Sequence, residues 1–125
     1  MVLCKKCRGT TMLGEVGTKK IFENDSIIVW EFILNAGEST PIHEHRFDYL
    51  FYPINGAPLE VFSESGNSLG IFDATEGNIF AFKVESGNLV SVDGKGLKVP
   101  ARHFAKNVGD STYREILIET KITNE

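Results

Sequence analysis

The sequence predicts an all-β domain, a sandwich or barrel of short strands, and three observations point there. Runs rich in Ile, Val, Phe and Tyr recur along the chain, as half-buried strands require. Turn-forming combinations of Asn, Asp, Ser and Gly stand between those runs. No convincing amphipathic stretch of ten or more residues carries the period of a helix.

Taken in order, the runs are Ile27–Leu34, Phe47–Ile54, Leu59–Phe62, Leu69–Phe72, Ile79–Val84, Leu89–Val92 and Glu115–Glu119. Asn24-Asp25 stands ahead of the first, and Asn55-Gly56 separates the second from the third. Ser65-Gly66-Asn67, Glu76-Gly77 and Ser86-Gly87-Asn88 divide the next four, Asp93-Gly94 follows the sixth, and Gly109-Asp110 precedes the last. Asn and Gly accept the positive φ that tight hairpins demand. Glu-Ser-Gly-Asn occurs at 64–67 and again at 85–88, and poorly matching flanks favour two similar hairpin turns over an internal repeat. Alternation should turn Trp30, Phe32, Phe47, Tyr49, Phe80 and Phe82 toward the interior, mostly as core. At 125 residues the chain has the length of one domain. Residues 1–22, polar with several glycines and bases, are expected as an N-terminal arm, and residues 23–121 as the barrel.

Thirteen basic against seventeen acidic residues give a net charge of −4, which argues against nucleic acid as a partner, since phosphate binding needs a basic surface. Apolar runs of four residues or fewer cannot span a bilayer. Met1 to Gly14 lacks the apolar core of a signal peptide, so a cytoplasmic location is expected. Cys4 and Cys7 form the only C-x-x-C pair, without the two further ligands of a zinc site or the βαβ context of a redox motif.

The three histidines carry the chemistry. His43 and His45 are two apart, so a strand would point both to one face, with roughly 6.5–7 Å between their backbone positions. Two imidazoles so placed can converge on one metal ion. Gly37 marks a turn ahead of them, and Pro41 holds extended backbone just before His43. His103 follows Gly94 and Pro100 and precedes Asn107.

In this pattern the chain resembles the cupin superfamily, whose motifs read G-x5-H-x-H-x3-4-E-x6-G and G-x5-P-x-G-x2-H-x3-N. Gly37, His43 and His45 match the first, and Gly94, Pro100, His103 and Asn107 match the second. The resemblance implies a double-stranded β-helix, or jelly-roll barrel, from about Ile27 to Glu119. It also implies one divalent metal ion (Fe, Zn, Ni or Mn) on His43, His45 and His103, with the other matches serving as turn residues. The chain departs from the pattern in three places. Its second motif is two residues short, the stretch between motifs has room for an extra hairpin around Ile79–Val92, and the usual glutamate ligand is absent. The fourth ligand is open between water, Tyr49 on the histidine face, and Asp48 if a bulge re-aims the strand. Arg46 and Arg102 have the opposite parity and are expected to point outward.

Three functions compete. The first is a metal-dependent enzyme of dioxygenase, isomerase or lyase type acting on a small molecule. The second is a non-catalytic barrel that binds a small ligand or the metal itself, and the third is a dimerisation unit. Loose similarity to small cupins grouped with β-alanine degradation proteins names no substrate. A homodimer paired through an exposed edge strand is expected in any of these cases.

Overall fold

The computed structural model of the chain describes residues 13–121. Eleven strands account for its regular structure, with no helix among the described residues and so none able to cross a membrane. In chain order they are β1 (Lys19–Glu23), β2 (Ile27–Leu34), β3 (His43–Glu44), β4 (Asp48–Asn55), β5 (Ala57–Ser63) and β6 (Ser68–Ala74). They continue with β7 (Phe80–Glu85), β8 (Asn88–Ser91), β9 (Lys98–Pro100), β10 (Arg102–Asn107) and β11 (Tyr113–Thr120). Every pairing is antiparallel. A seven-stranded sheet runs β1-β2-β11-β4-β7-β8-β9, and a four-stranded sheet runs β3-β10-β5-β6.

Alternation decides which residues the sheets enclose. Along β2, Ile28, Trp30, Phe32 and Leu34 are buried, while Ile27, Val29, Glu31 and Ile33 look outward. Along β11 the inward set is Tyr113, Glu115, Leu117 and Glu119. Two apolar groups result. One gathers Trp30, Tyr49, Phe51, Phe80, Phe82, Leu89 and Leu117, and the other Phe32, Leu34, Leu59, Ala74 and Tyr113. Phe51 lies parallel to Phe80 with ring centroids 5.0 Å apart, giving dispersion contact beyond simple burial. Pro53, which has no N–H for a ladder, sits where the β4–β11 register shifts and beyond the part of β4 that pairs with β7.

All seven anticipated runs form strands within two residues of their expected ends, and β7–β8 is the anticipated additional hairpin. Both Glu-Ser-Gly-Asn segments are hairpin turns. In the second, Ser86 and Gly87 have φ of 53° and 80°, the paired positive values of a two-residue turn matched to strand twist. Strands β1, β9 and β10 carry no apolar alternation and were not expected. β1 crosses the boundary between the expected arm and barrel. Ahead of it, residues 13–18 lie on the same chain's barrel: Gly14 N–H donates to Ile42 O at 2.7 Å, Thr18 N–H to Glu31 O at 2.8 Å, and Val16 is buried. Cys4 and Cys7 lie outside the described residues.

Candidate metal centre

The four-stranded sheet brings the histidines together. β3 and β10 are antiparallel neighbours in a register that sets His103 directly opposite His43. Such cross-strand partners have Cβ atoms about 4.5–5.5 Å apart, so chain separation is cancelled by pairing. Beyond β3, His45 N–H donates to Ala101 O at 3.0 Å, which keeps His45 beside β10 and returns its ring to the side of His43. The ring centroids form a nearly equilateral triangle with sides of 4.8, 5.0 and 5.2 Å. One nitrogen from each ring lies within 4.8 Å of the other two, and all three residues are buried. The short second motif therefore does not misplace His103.

Two prolines orient the rings. His43 Nδ1 is 3.1 Å from Pro41 O, and His103 Nδ1 is 2.7 Å from Pro100 O. A carbonyl can only accept, so each Nδ1 carries the proton and each Nε2 keeps its lone pair, the tautomer a metal requires. Pro41 thus does more than hold extended backbone, and Pro100, expected as a turn residue, is instead the last residue of β9. The signal was present in the sequence, because both stand just upstream of a histidine.

His45 differs. Its Nδ1 is the one enclosed side-chain polar atom without a hydrogen-bond partner among the described residues. Leaving such an atom unmatched costs on the order of 1–3 kcal/mol, and a cation ligated through this nitrogen would satisfy it. Burial, reinforced by its neighbour His103, lowers the His43 pKa to about 4. Burial likewise lowers His45, with help from His43 and His103, and it lowers His103 against the raising effect of the Pro100 carbonyl. All three rings are therefore neutral at pH 7. Convergence, neutrality, fixed tautomers and an orphaned nitrogen fit a divalent ion.

Tyr49 is buried and lies flat against His45, with centroids 4.2 Å apart and planes 12° from parallel. Burial, then the Glu115 and Glu119 carboxyls, push its phenol well above the usual range, so it stays protonated. Asp48 is exposed, and its Oδ1 accepts from Val84 N–H at 2.9 Å on the far side of the strand from the histidines. Arg46 and Arg102 are exposed, and Arg102 pairs with Glu44 at 2.9 Å.

The histidines form one wall of a cavity of about 170 Å³ whose other walls include Phe51, Leu59, Val61, Phe72, Phe82 and Leu117. Glu115, from the centre of the opposite sheet, also lines it and was not anticipated. Its parity signals this, because Glu115 alternates in step with Tyr113 and Leu117. Asn107 corrects another expectation. It is not a turn residue but a fully buried strand residue whose side chain makes three hydrogen bonds, donating to Leu34 O and Ser111 O and accepting from Gly109 N–H.

Two antiparallel sheets with a buried histidine triad at one wall form a jelly-roll barrel. The fold is the double-stranded β-helix found in cupin structures. A cupin domain from Bordetella pertussis Tohama I superposes with a TM-score of 0.61 at 21% identity, over 87% of this chain and all of that one. An RmlC-like cupin with a double-stranded β-helix from Methanocaldococcus jannaschii gives 0.54 at 13% identity, over 94% and 92% of the two chains. A cupin superfamily protein from Desulfitobacterium hafniense DCB-2 gives 0.50 at 15%, over 89% and 82%. No protein-family model matches the sequence, and no curated protein does.

Proposed function

We propose that the chain is a metal-dependent cupin that holds one divalent ion on His43, His45 and His103 and acts on a small molecule in the adjoining cavity. The observation that carries this reading is the convergence of three buried imidazoles on the wall of a mostly apolar cavity. Nitrogen donors of this kind suit Fe, Zn, Ni or Mn. A bound ion supplies a Lewis-acid or redox centre facing the cavity. The chain's own residues do the rest. The Pro41 and Pro100 carbonyls fix two tautomers, Tyr49 braces His45 by stacking, and aromatic and aliphatic side chains face the site.

The test is metal content by mass spectrometry on protein purified without a histidine tag. About one equivalent is expected, lost in both His43→Ala and His103→Ala; a wild type that takes up no Fe, Zn, Ni or Mn sinks the proposal. Tyr49→Phe should keep the metal, because the stacked ring remains, whereas loss of metal in that variant would make the phenol a ligand.

A further inference from the structure

The geometry points to Glu115 as a second polar anchor of the cavity, holding the acceptor oxygen of a small, uncharged, mostly apolar ligand whose other end faces the histidines. This rests on the reading of the cavity as a ligand site and specifies the class of molecule it takes.

Glu115 occupies a place where a carboxyl group is costly. β11 is the middle strand between β2 and β4, and Glu115 faces inward with 4% of its surface exposed. The groups around it bring no positive charge. On its own strand Tyr113 donates its hydroxyl to Oε1, and Glu119 further along instead accepts from Trp30 Nε1 at 2.8 Å. β2 contributes Phe32, and β4 contributes Tyr49, whose phenol is neutral. Across the cavity stand the three neutral imidazoles. Among the described residues no lysine, arginine or aspartate lines the cavity, and Glu115 is its one carboxyl.

One oxygen remains uncommitted. Oε1 takes the Tyr113 hydroxyl, Oε2 has no partner among the described residues, and it is not among the enclosed unpartnered atoms. Glu115 is itself one of the residues that line the cavity. An anionic carboxylate here would be nearly unpaired in an apolar surrounding, so the neutral acid is the favoured form. Burial raises the pKa to about 8, against the lowering effect of the Tyr113 hydroxyl. A neutral carboxylic acid has one O–H to donate, and Oε2 is the oxygen left to donate it to a ligand.

The ligand class follows. Glu115 matches a carbonyl, ether or hydroxyl oxygen and disfavours a carboxylate at its end of the cavity, where no cationic side chain lies beside it. Volume limits the rest. An apolar cavity of about 150 Å³ accommodates benzene, so about 170 Å³ here suits a single ring or a short branched chain.

Three probes of one size separate the possibilities: acetophenone (acceptor, neutral), ethylbenzene (no acceptor) and benzoate (acceptor, anionic). Full-length protein, as purified and after EDTA, is titrated with each by calorimetry, beside Glu115→Gln and Glu115→Leu. Acetophenone should bind about tenfold more tightly than ethylbenzene, the scale of one hydrogen bond to a buried group. That preference should survive EDTA, persist in Glu115→Gln, whose amide still donates, and vanish in Glu115→Leu. Benzoate should gain nothing from Glu115. Equal binding of acetophenone and ethylbenzene, or no binding of any probe, overturns the inference. So does a preference that disappears with EDTA yet persists in Glu115→Leu; it would assign the acceptor to the metal and leave the metal reading standing.

Discussion

Replacing Asn107 with leucine keeps the branched outline of a side chain with no exposure to water but removes every hydrogen bond that the side chain makes. Asn107 Nδ2 donates to Leu34 O at 2.9 Å and Ser111 O at 2.8 Å, and Oδ1 accepts from Gly109 N–H at 2.9 Å. These bonds tie the end of β10 to the end of β2 and to the loop leading into β11. The Leu34 contact is enclosed, and losing it should cost on the order of 1–3 kcal/mol. Gly109 and Ser111 lie nearer to water, so each lost bond there should cost about 0.5–1.5 kcal/mol. The total, about 2–6 kcal/mol, is a large part of the ~5–15 kcal/mol that holds a domain folded. Asn107→Asp should do at least as much damage, since it keeps the acceptor but sets a carboxylate against two carbonyl oxygens. Urea unfolding followed by Trp30 fluorescence measures both, with the slope against denaturant unchanged and the midpoint lowered. A leucine variant within 1 kcal/mol of the wild type would refute the reasoning.

Glu115 gives the protein a pH signature. Its folded pKa, about 8, lies above the unfolded value of about 4.5, so the folded state holds the extra proton between those values. Its stabilising contribution is complete below pH 4.5 and is lost as pH rises through 8, at up to about 1.4 kcal/mol per pH unit. Unfolding curves of wild type and Glu115→Gln at pH 5, 6, 7 and 8 should diverge by that slope, and parallel curves would show that Glu115 is ionised in the fold. Gly17→Ala should disturb Trp30, because a Cβ there would sit 2.6 Å from the Trp30 Cβ; a cost of about 1–3 kcal/mol and a shifted emission maximum are expected. β1 is the edge of its sheet among the described residues and exposes Ile21 and Phe22. If copies pair through that edge, the wild type elutes as a dimer and Phe22→Glu as a monomer, and monomeric wild type excludes the pairing.

What the sequence made legible follows from which forces are local. β2 could be read from its alternation, because burial of one face needs only parity. The histidines could be found because ligand chemistry restricts residue type as well as spacing. β10 could not, since its inward residues are His103, Ala105 and Asn107, a polar face that looks like a loop until its function is known. The role of Asn107 depends on Leu34 and Ser111, which only the folded chain brings near it. Glu115 was within reach, because its step shared with Leu117 places a carboxyl in the core.

The order in which the sheet is assembled has a kinetic consequence. β11 is the last of the described strands to be made, yet it lies between β2 and β4 and hydrogen-bonds to both along most of its length. A nascent chain that has grown only to residue 112 carries two open edges where the sheet's middle belongs, bordered by Trp30, Phe32 and Phe51. Closing the gap joins Thr120 to Ile27 across nearly the whole barrel, a long loop closure of the kind that places β-rich domains among the slow folders. Chains stalled before Tyr113 should therefore be the species most prone to aggregate during synthesis, and the barrel should form only after the final strand has cleared the ribosome.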